Sequence, residues 1–123
     1  VIHLRNTMKL KNSRVLHADF FSLNKSYDGS YDLIIEQTFF CAIPPRQRSD
    51  YVLKASRLLR SGGMLIGLFY NTDKEGGPPH NTTREDIVSH FSDHFEILEL
   101  DKTTLSAEKR KDKEWLAILK KKL

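Results

Sequence analysis

Glu36 and Gln37 follow directly on the apolar run Leu33-Ile34-Ile35, and two adjacent aromatics, Phe39 and Phe40, come next, shortly before Pro44-Pro45. A short continuous apolar run of this kind reads as a buried parallel strand, and ligands of open α/β sheets sit just beyond the carboxyl ends of such strands. An acid and an amide at that point are placed to line a ligand site, with exposed loop residues as the alternative. Adjacent residues cannot both face inward from a regular strand. Phe39 and Phe40 therefore read as the wall of a site, the alternative being that both belong to the core. Tyr70 closes a second apolar run and stands on the same ligand side.

Other reactive residue types offer less. Cys41 is the only cysteine and has no His or Asn partner indicated by the sequence, so it reads as a small buried hydrophobe rather than a nucleophile. His90 and His94 are spaced to share one helical face. Phe91-Ser92-Asp93 separates them, so the His-Glu-x-x-His pattern is absent and no metal site is expected. His80 follows Gly76-Gly77-Pro78-Pro79, a loop that either closes over a substrate or is a rigid surface loop. Asp19, before Phe20-Phe21, has the side chain of a turn cap. No catalytic side chain stands out.

The elements that must position these residues follow from the pattern. Residues 1–11 are weakly helical, with Val1, Leu4 and Met8 at helix spacing, and Asn12-Ser13 breaks them off. Residues 14–18 read as a short strand, and Asp28-Gly29 marks a turn in the polar loop 24–30. Pro44-Pro45 cannot continue a ladder and suits the start of a helix over 46–60, with Tyr51, Val52, Ala55, Leu58 and Leu59 on one face. Ser61-Gly62-Gly63 reads as its stop. Residues 64–70 are a second buried strand. Thr83-x-x-Asp86 resembles a capping box, opening a helix through Ile87, Val88 and Phe91 that ends near His94. Phe95, Ile97 and Leu100 mark a strand. Residues 114–120 mark another, with Leu116 and Ile118 on one face and Trp115, Ala117 and Leu119 on the other. The strand–helix–strand units imply parallel pairing with right-handed crossovers, while the last two strands form an antiparallel hairpin.

The bulk properties narrow the class. A chain of 123 residues with 39% hydrophobic and 29% charged residues suits one globular domain with one core. No apolar run approaches membrane-spanning length. Residues 1–5 are not a signal peptide, and the lack of an initiator methionine points to a start inside a longer protein. A single cysteine excludes an internal disulfide and fits a reducing, cytoplasmic compartment. The net charge of +4 is concentrated at Lys109-Arg110-Lys111, Lys113 and Lys120-Lys121-Lys122. These clusters read as solvated ends rather than a nucleic-acid surface, since no aromatics interleave them apart from Trp115, in its strand.

Several blocks together resemble a known family. They are His17-Ala18-Asp19-Phe20-Phe21, then Tyr31 through Ile43, Leu58-Leu59-Arg60-Ser61-Gly62-Gly63-Met64-Leu65-Ile66, and Gly76-Gly77-Pro78-Pro79. The chain is similar to class I S-adenosylmethionine-dependent methyltransferases, within them to the thiopurine S-methyltransferase-like group that includes the plant halide/thiol methyltransferases. The resemblance covers residues 14–119. It implies an α/β, Rossmann-like sheet, mostly parallel, with a C-terminal antiparallel hairpin, and S-adenosyl-L-methionine as cofactor. It implies that Asp19 accepts from the adenine amino group, that Phe20 holds the ring and that Gln37 touches the cofactor. Phe39, Phe40, Glu36 and Tyr70 are then substrate-side residues, though Glu36 stands where the family frequently has Asp. The expected reaction is direct transfer of a methyl group to a small thiol or halide, with no metal and no obligatory general base.

The family's Gly-rich loop after its first strand, and the acid ending its second, have no counterpart upstream of Arg14. The expectation is a single domain over 1–123 that lacks the Gly-rich cofactor loop. Two strands that separate the 14–18 strand from the Leu33 strand in the family would be missing, leaving the latter as an unprotected apolar edge. That edge is expected to make the isolated chain unstable, self-associating or rearranged, or to receive an upstream segment. Two other readings stand beside this one: a degenerate or split methyltransferase acting as a non-catalytic binding module, and another nucleotide-binding α/β enzyme such as a nicotinamide oxidoreductase. The terminal hairpin and the missing dinucleotide fingerprint argue against the latter.

Overall fold

A computed structural model describes residues 13–104 and 106–123 of the chain. The weak helix expected over 1–11 lies outside the described residues. Four strands form one mixed sheet: β1 (Tyr31–Gln37), β2 (Leu59–Tyr70), β3 (Phe95–Lys102) and β4 (Glu114–Lys121), in the spatial order β1-β2-β4-β3. Two helices, α1 (Arg48–Leu58) and α2 (Arg84–Phe91), supply the crossovers. β1 and β2 pair in parallel, and β4 pairs antiparallel with both β2 and β3. The expected α/β arrangement and closing hairpin are present. The sheet is mixed: β1, β2 and β3 run in one direction, and β4, inserted between β2 and β3, runs against them.

The core is one aromatic-rich layer between the sheet and the helices. Phe40, Tyr51, Phe69, Phe91 and Phe95 are all buried in it, with Leu59, Leu65, Ile87, Ala117 and Leu119. Phe40 meets Phe69 edge-on at 5.1 Å and Phe91 at 5.7 Å, the offset geometry that ring quadrupoles favour. The capping box at α2 is complete: the Asp86 amide donates to Thr83 Oγ1 at 3.0 Å and the Thr83 amide to Asp86 Oδ2 at 2.9 Å. α2 ends at Phe91, with a short turn carrying the chain through His94 into β3.

Three expectations are corrected. Residues 14–18 form no strand; they run without ladder partners into a short 3-10 turn, Phe20–Ser22. Strand propensity alone does not hold a strand when no neighbouring backbone pairs with it. The Leu33 run is a strand but not an interior one, since Ile35 is 78% exposed and β1 is the sheet's edge among the described residues. This agrees with the edge argued from the sequence. Finally, Ser61-Gly62-Gly63 does not stop α1. The helix closes at Leu59, whose amide bonds Ala55 O while its own backbone is already extended. Tyr31 pairs with Leu59 and Leu33 with Met64, so residues 60–63 bulge opposite Asp32. Gly62 takes the bulge's positive φ of 75°, and a Cβ on Gly63 would meet Arg60 O at 2.9 Å and Asp32 O at 3.2 Å. The glycines serve a bulge, not a helix cap.

Candidate functional site

The polar pair at the end of β1 splits by strand alternation. Glu36 shares the inner face with Ile34 and is only 4% exposed, while Gln37 is exposed at the strand's end. Beyond it the chain turns sharply through Thr38, which takes a φ of 68°. A β-branched residue in this region is strained. Glu36 holds the turn: the Phe39 amide donates to Oε2 at 3.2 Å and the Phe40 amide to Oε1 at 3.0 Å. The Tyr51 hydroxyl, from α1, bonds the same carboxyl group. Burial raises the Glu36 pKa above its ordinary value, and the three hydrogen bonds only partly offset that effect. Burial, followed by the Glu36 charge, pushes the Tyr51 hydroxyl well above its usual range.

This clamp sorts the two phenylalanines. Phe40 goes into the core, 1% exposed, and Phe39 emerges into a cleft. There Phe20 stacks on Tyr51 at 5.3 Å, and Phe39 leans on both rings, at 5.5 and 5.6 Å. With Ile34, Ile35, Glu36 and Gln37 the three rings line a cleft of about 180 Å³ at the carboxyl end of β1. Asp19, next to Phe20 in the chain, caps the 3-10 turn that presents that ring: Oδ1 accepts the Phe21 amide at 3.0 Å and Oδ2 the Ser22 hydroxyl at 3.3 Å. The cleft is largely apolar, with the exposed amide of Gln37 in its lining, so it offers aromatic faces to a flat ring and a polar group to the ring's edge.

A second cavity, of about 430 Å³, opens beyond the end of β2 between Tyr70, Thr72, Lys74, Lys113 and the Gly76-Gly77-Pro78-Pro79 loop. Both feet of that loop are tied down. The His80 amide bonds Cys41 O at 2.7 Å, and the Thr82 amide bonds Tyr70 O at 3.0 Å. Arg48, 3% exposed, donates through Nη2 to Asn81 O at 3.1 Å and to Thr82 Oγ1 at 3.2 Å, pairs with Asp86 at 3.8 Å, and lies over the Phe40 ring at 4.5 Å. Burial lowers its pKa. Arg48 therefore joins α1, α2, the aromatic core and the loop. The sequence pattern singled out nothing at Arg48 and placed Tyr51 only on the apolar face of α1.

Of the remaining reactive residues, Cys41 is buried and its thiol donates to Thr38 O at 3.4 Å. Burial raises its pKa, which suppresses the nucleophilic thiolate. His90 Nδ1 lies 2.8 Å from Asp86 O within its own helix. Among the described residues no group of three or more His, Cys, Asp and Glu side chains gathers to hold a metal, and no helix is long and apolar enough to cross a membrane.

Comparison with known proteins gives these cavities a context. The sequence model of the family described as thiopurine S-methyltransferase (TPMT) matches residues 2–123. Thiocyanate methyltransferase 1 of Brassica oleracea is 33% identical over 117 residues, which cover 92% of this chain and 50% of that protein. A thiopurine S-methyltransferase of Psychrobacter cryohalolentis is 29% identical over 85 residues, 68% of this chain and 39% of that protein. The chain thus spans half or less of the length of these relatives. In structure it resembles the Burkholderia thailandensis 1,6-didemethyltoxoflavin-N1-methyltransferase, solved with 1,6-didemethyltoxoflavin and S-adenosylhomocysteine bound. The TM-score is 0.77 at 13% identity, covering 99% of this chain and 56% of that one. That likeness speaks for the fold.

Proposed function

This chain belongs to the thiopurine S-methyltransferase family, and from that premise we propose that it carries the adenine-binding and acceptor-side elements of an S-adenosylmethionine-dependent methyltransferase. The acceptor is a small thiol, or an anion of the halide or thiocyanate kind. The observation that carries this reading is the aromatic cleft at the carboxyl end of β1, built by Phe20, Phe39 and Tyr51 with Gln37 in its lining, Asp19 capping the turn that presents Phe20. Its chemistry suits the adenine end of that cofactor, which supplies a methyl group already activated on a sulfonium sulfur. Asp19 and Gln37 bond the base edge, and Phe20 stacks on its face. Phe39, held by Glu36, forms the wall toward the sulfonium, whose positive charge a ring face favours.

The chain's remaining work is alignment and exclusion of water. A thiolate or pseudohalide attacks without help from a general base, so the reading requires no catalytic side chain. The cavity between Tyr70 and the Gly-Gly-Pro-Pro loop, adjoining the strand ends, supports an acceptor compartment. The free, buried Cys41 supports a reducing, cytoplasmic setting. The exposed edge of β1, with Leu33 and Ile35 open to solvent, supports pairing with a further strand, from an upstream segment or a second copy.

Calorimetric titration of the chain with S-adenosylhomocysteine, and separately with NAD, tests the reading. Saturable binding of S-adenosylhomocysteine, lost in Phe20→Ala, is expected. Binding of NAD without S-adenosylhomocysteine would transfer the chain to a different class of nucleotide enzyme.

A further inference from the structure

One side of the β1 backbone has no ladder among the described residues: the strand pairs with β2 alone and forms the edge of the sheet. Ile35 is 78% exposed there and Leu33 45%. An apolar edge of this kind is a template for another strand. Arg14 and Leu16 pass the start of the edge without closing on it, since they line, with Tyr31, a cavity of about 490 Å³. The chain then reaches the far end of β1, where Phe20 lines the aromatic cleft with Ile35 and Gln37. Residues 14–20 therefore run in the same direction as β1, and the cavity at its start separates them from it.

Residues 1–12, outside the described part, come immediately before this gap in the chain. Read at period two, Ile2, Leu4, Met8 and Leu10 fall on one side and His3, Arg5, Thr7, Lys9 and Lys11 on the other, with Asn6 the one polar residue of the first set. Helical spacing gathers only Val1, Leu4 and Met8, and an isolated helix of this length is marginal in water. Asn12-Ser13 supplies a two-residue connection, and asparagine tolerates the backbone that such turns need. A strand folded back by that turn runs opposite to residues 14–20, and so antiparallel to β1. Its charge also suits the edge: residues 1–12 carry Arg5, Lys9 and Lys11 and no acid, while β1 carries Asp32 and Glu36.

We propose that residues 2–11 form a strand that pairs antiparallel with the open edge of β1, between β1 and residues 14–18, so that the chain closes its own sheet. One register satisfies the side chains on both faces. Leu10 stands opposite Leu33, Met8 opposite Ile35 and Asn6 opposite Gln37, apolar to apolar and amide to amide. On the other face Lys11 joins Arg60 at the exposed carboxylate of Asp32. A slip of one residue sets Lys9 and Lys11 against Ile35 and Leu33 instead. This gives the edge of β1 a named strand, and it stands whichever ligand the cleft holds.

The test uses the full chain carrying Cys41→Ala, so that two introduced cysteines are its only thiols. Met8→Cys with Ile35→Cys puts the pair directly opposite across the ladder, at a Cα separation of about 5 Å that a disulfide spans. Thr7→Cys with Ile35→Cys puts them on opposite faces. In dilute, mildly oxidising buffer the 8–35 bridge is expected to close within one chain about tenfold faster than the 7–35 bridge, read by non-reducing gel and mass spectrometry. A bridge that joins two chains places the segment on a second copy and overturns the proposal, as do equal rates for the two pairs or no bridge in either. Should the cysteine variants fail to fold, as judged by circular dichroism, wild type carries the test. Magnetic resonance is then expected to show cross-strand proton contacts between Met8 and Ile35 and between Leu10 and Leu33. A helical contact pattern within residues 1–11, or no contact between the two stretches, overturns the pairing.

Discussion

Replacing Glu36 tests the clamp at the end of β1. Its carboxyl group accepts two backbone amides and bonds the Tyr51 hydroxyl, and it does so while 4% exposed. Hydrogen bonds to a charged acceptor contribute about 1.5–3 kcal/mol each. Glu36→Gln keeps one acceptor oxygen, loses one amide bond and no longer desolvates a charge, so a net cost of about 1–2 kcal/mol follows. Glu36→Ala leaves the buried Phe40 amide and the Tyr51 hydroxyl unpaired and opens a hole beside Thr38, for about 3–5 kcal/mol. Urea unfolding followed by the fluorescence of Trp115, the chain's single tryptophan, measures both. Hydrogen exchange at the Phe39 and Phe40 amides localises the loss. The pH dependence has a definite sign. Because burial raises the folded-state pKa of Glu36, the native state binds more protons than the unfolded state between the two pKa values. Its stability contribution therefore falls as pH rises from the unfolded pKa through the raised folded one, and is level above it. Glu36→Gln removes that slope. Equal stabilities of all three proteins to within about 0.5 kcal/mol, or an unchanged pH slope in the Gln variant, would refute the clamp.

The remaining predictions concern the elements the clamp organises. Phe39→Ala should weaken S-adenosylhomocysteine binding roughly tenfold with little change in stability, because Phe39 stands in the cleft. Phe40→Ala should instead cost about 3–5 kcal/mol of folding stability, because its ring is core; calorimetry and urea unfolding separate the two. Thr38→Gly should raise stability by about 1 kcal/mol in the same unfolding assay, since glycine takes a φ of 68° without strain. Ile35→Lys, on the edge of β1, should lower the melting temperature, with the chain monomeric by light scattering after size exclusion. A wild-type chain that is already monodisperse and monomeric would remove pairing with a second copy.

Much of this was legible in the residues. The continuous apolar runs, the Thr83–Asp86 cap and the alternation after Glu114 depend on contacts within a few positions, so local patterns carry them. The family blocks likewise lie in continuous stretches. Where local preference and long-range pairing competed, the reading erred. Residues 14–18 have strand-like side chains but no backbone to pair with, and Gly62-Gly63 looks like a helix stop until Tyr31 is found opposite Leu59.

The sequence by itself determined the order of strands and helices from Tyr31 onward, the parallel unit and closing hairpin, and the stretch in which a ligand would be met. Only the tertiary structure decided the use of each side chain. It turned Glu36 inward as a brace while Gln37 faced out, split Phe39 from Phe40, and brought Tyr51 and Arg48 to the strand ends. The physical reason is that a carboxylate's or an arginine's role is set by its burial and its partners. For Arg48 those partners include Thr82, 34 positions away along the chain, beyond the reach of any local pattern.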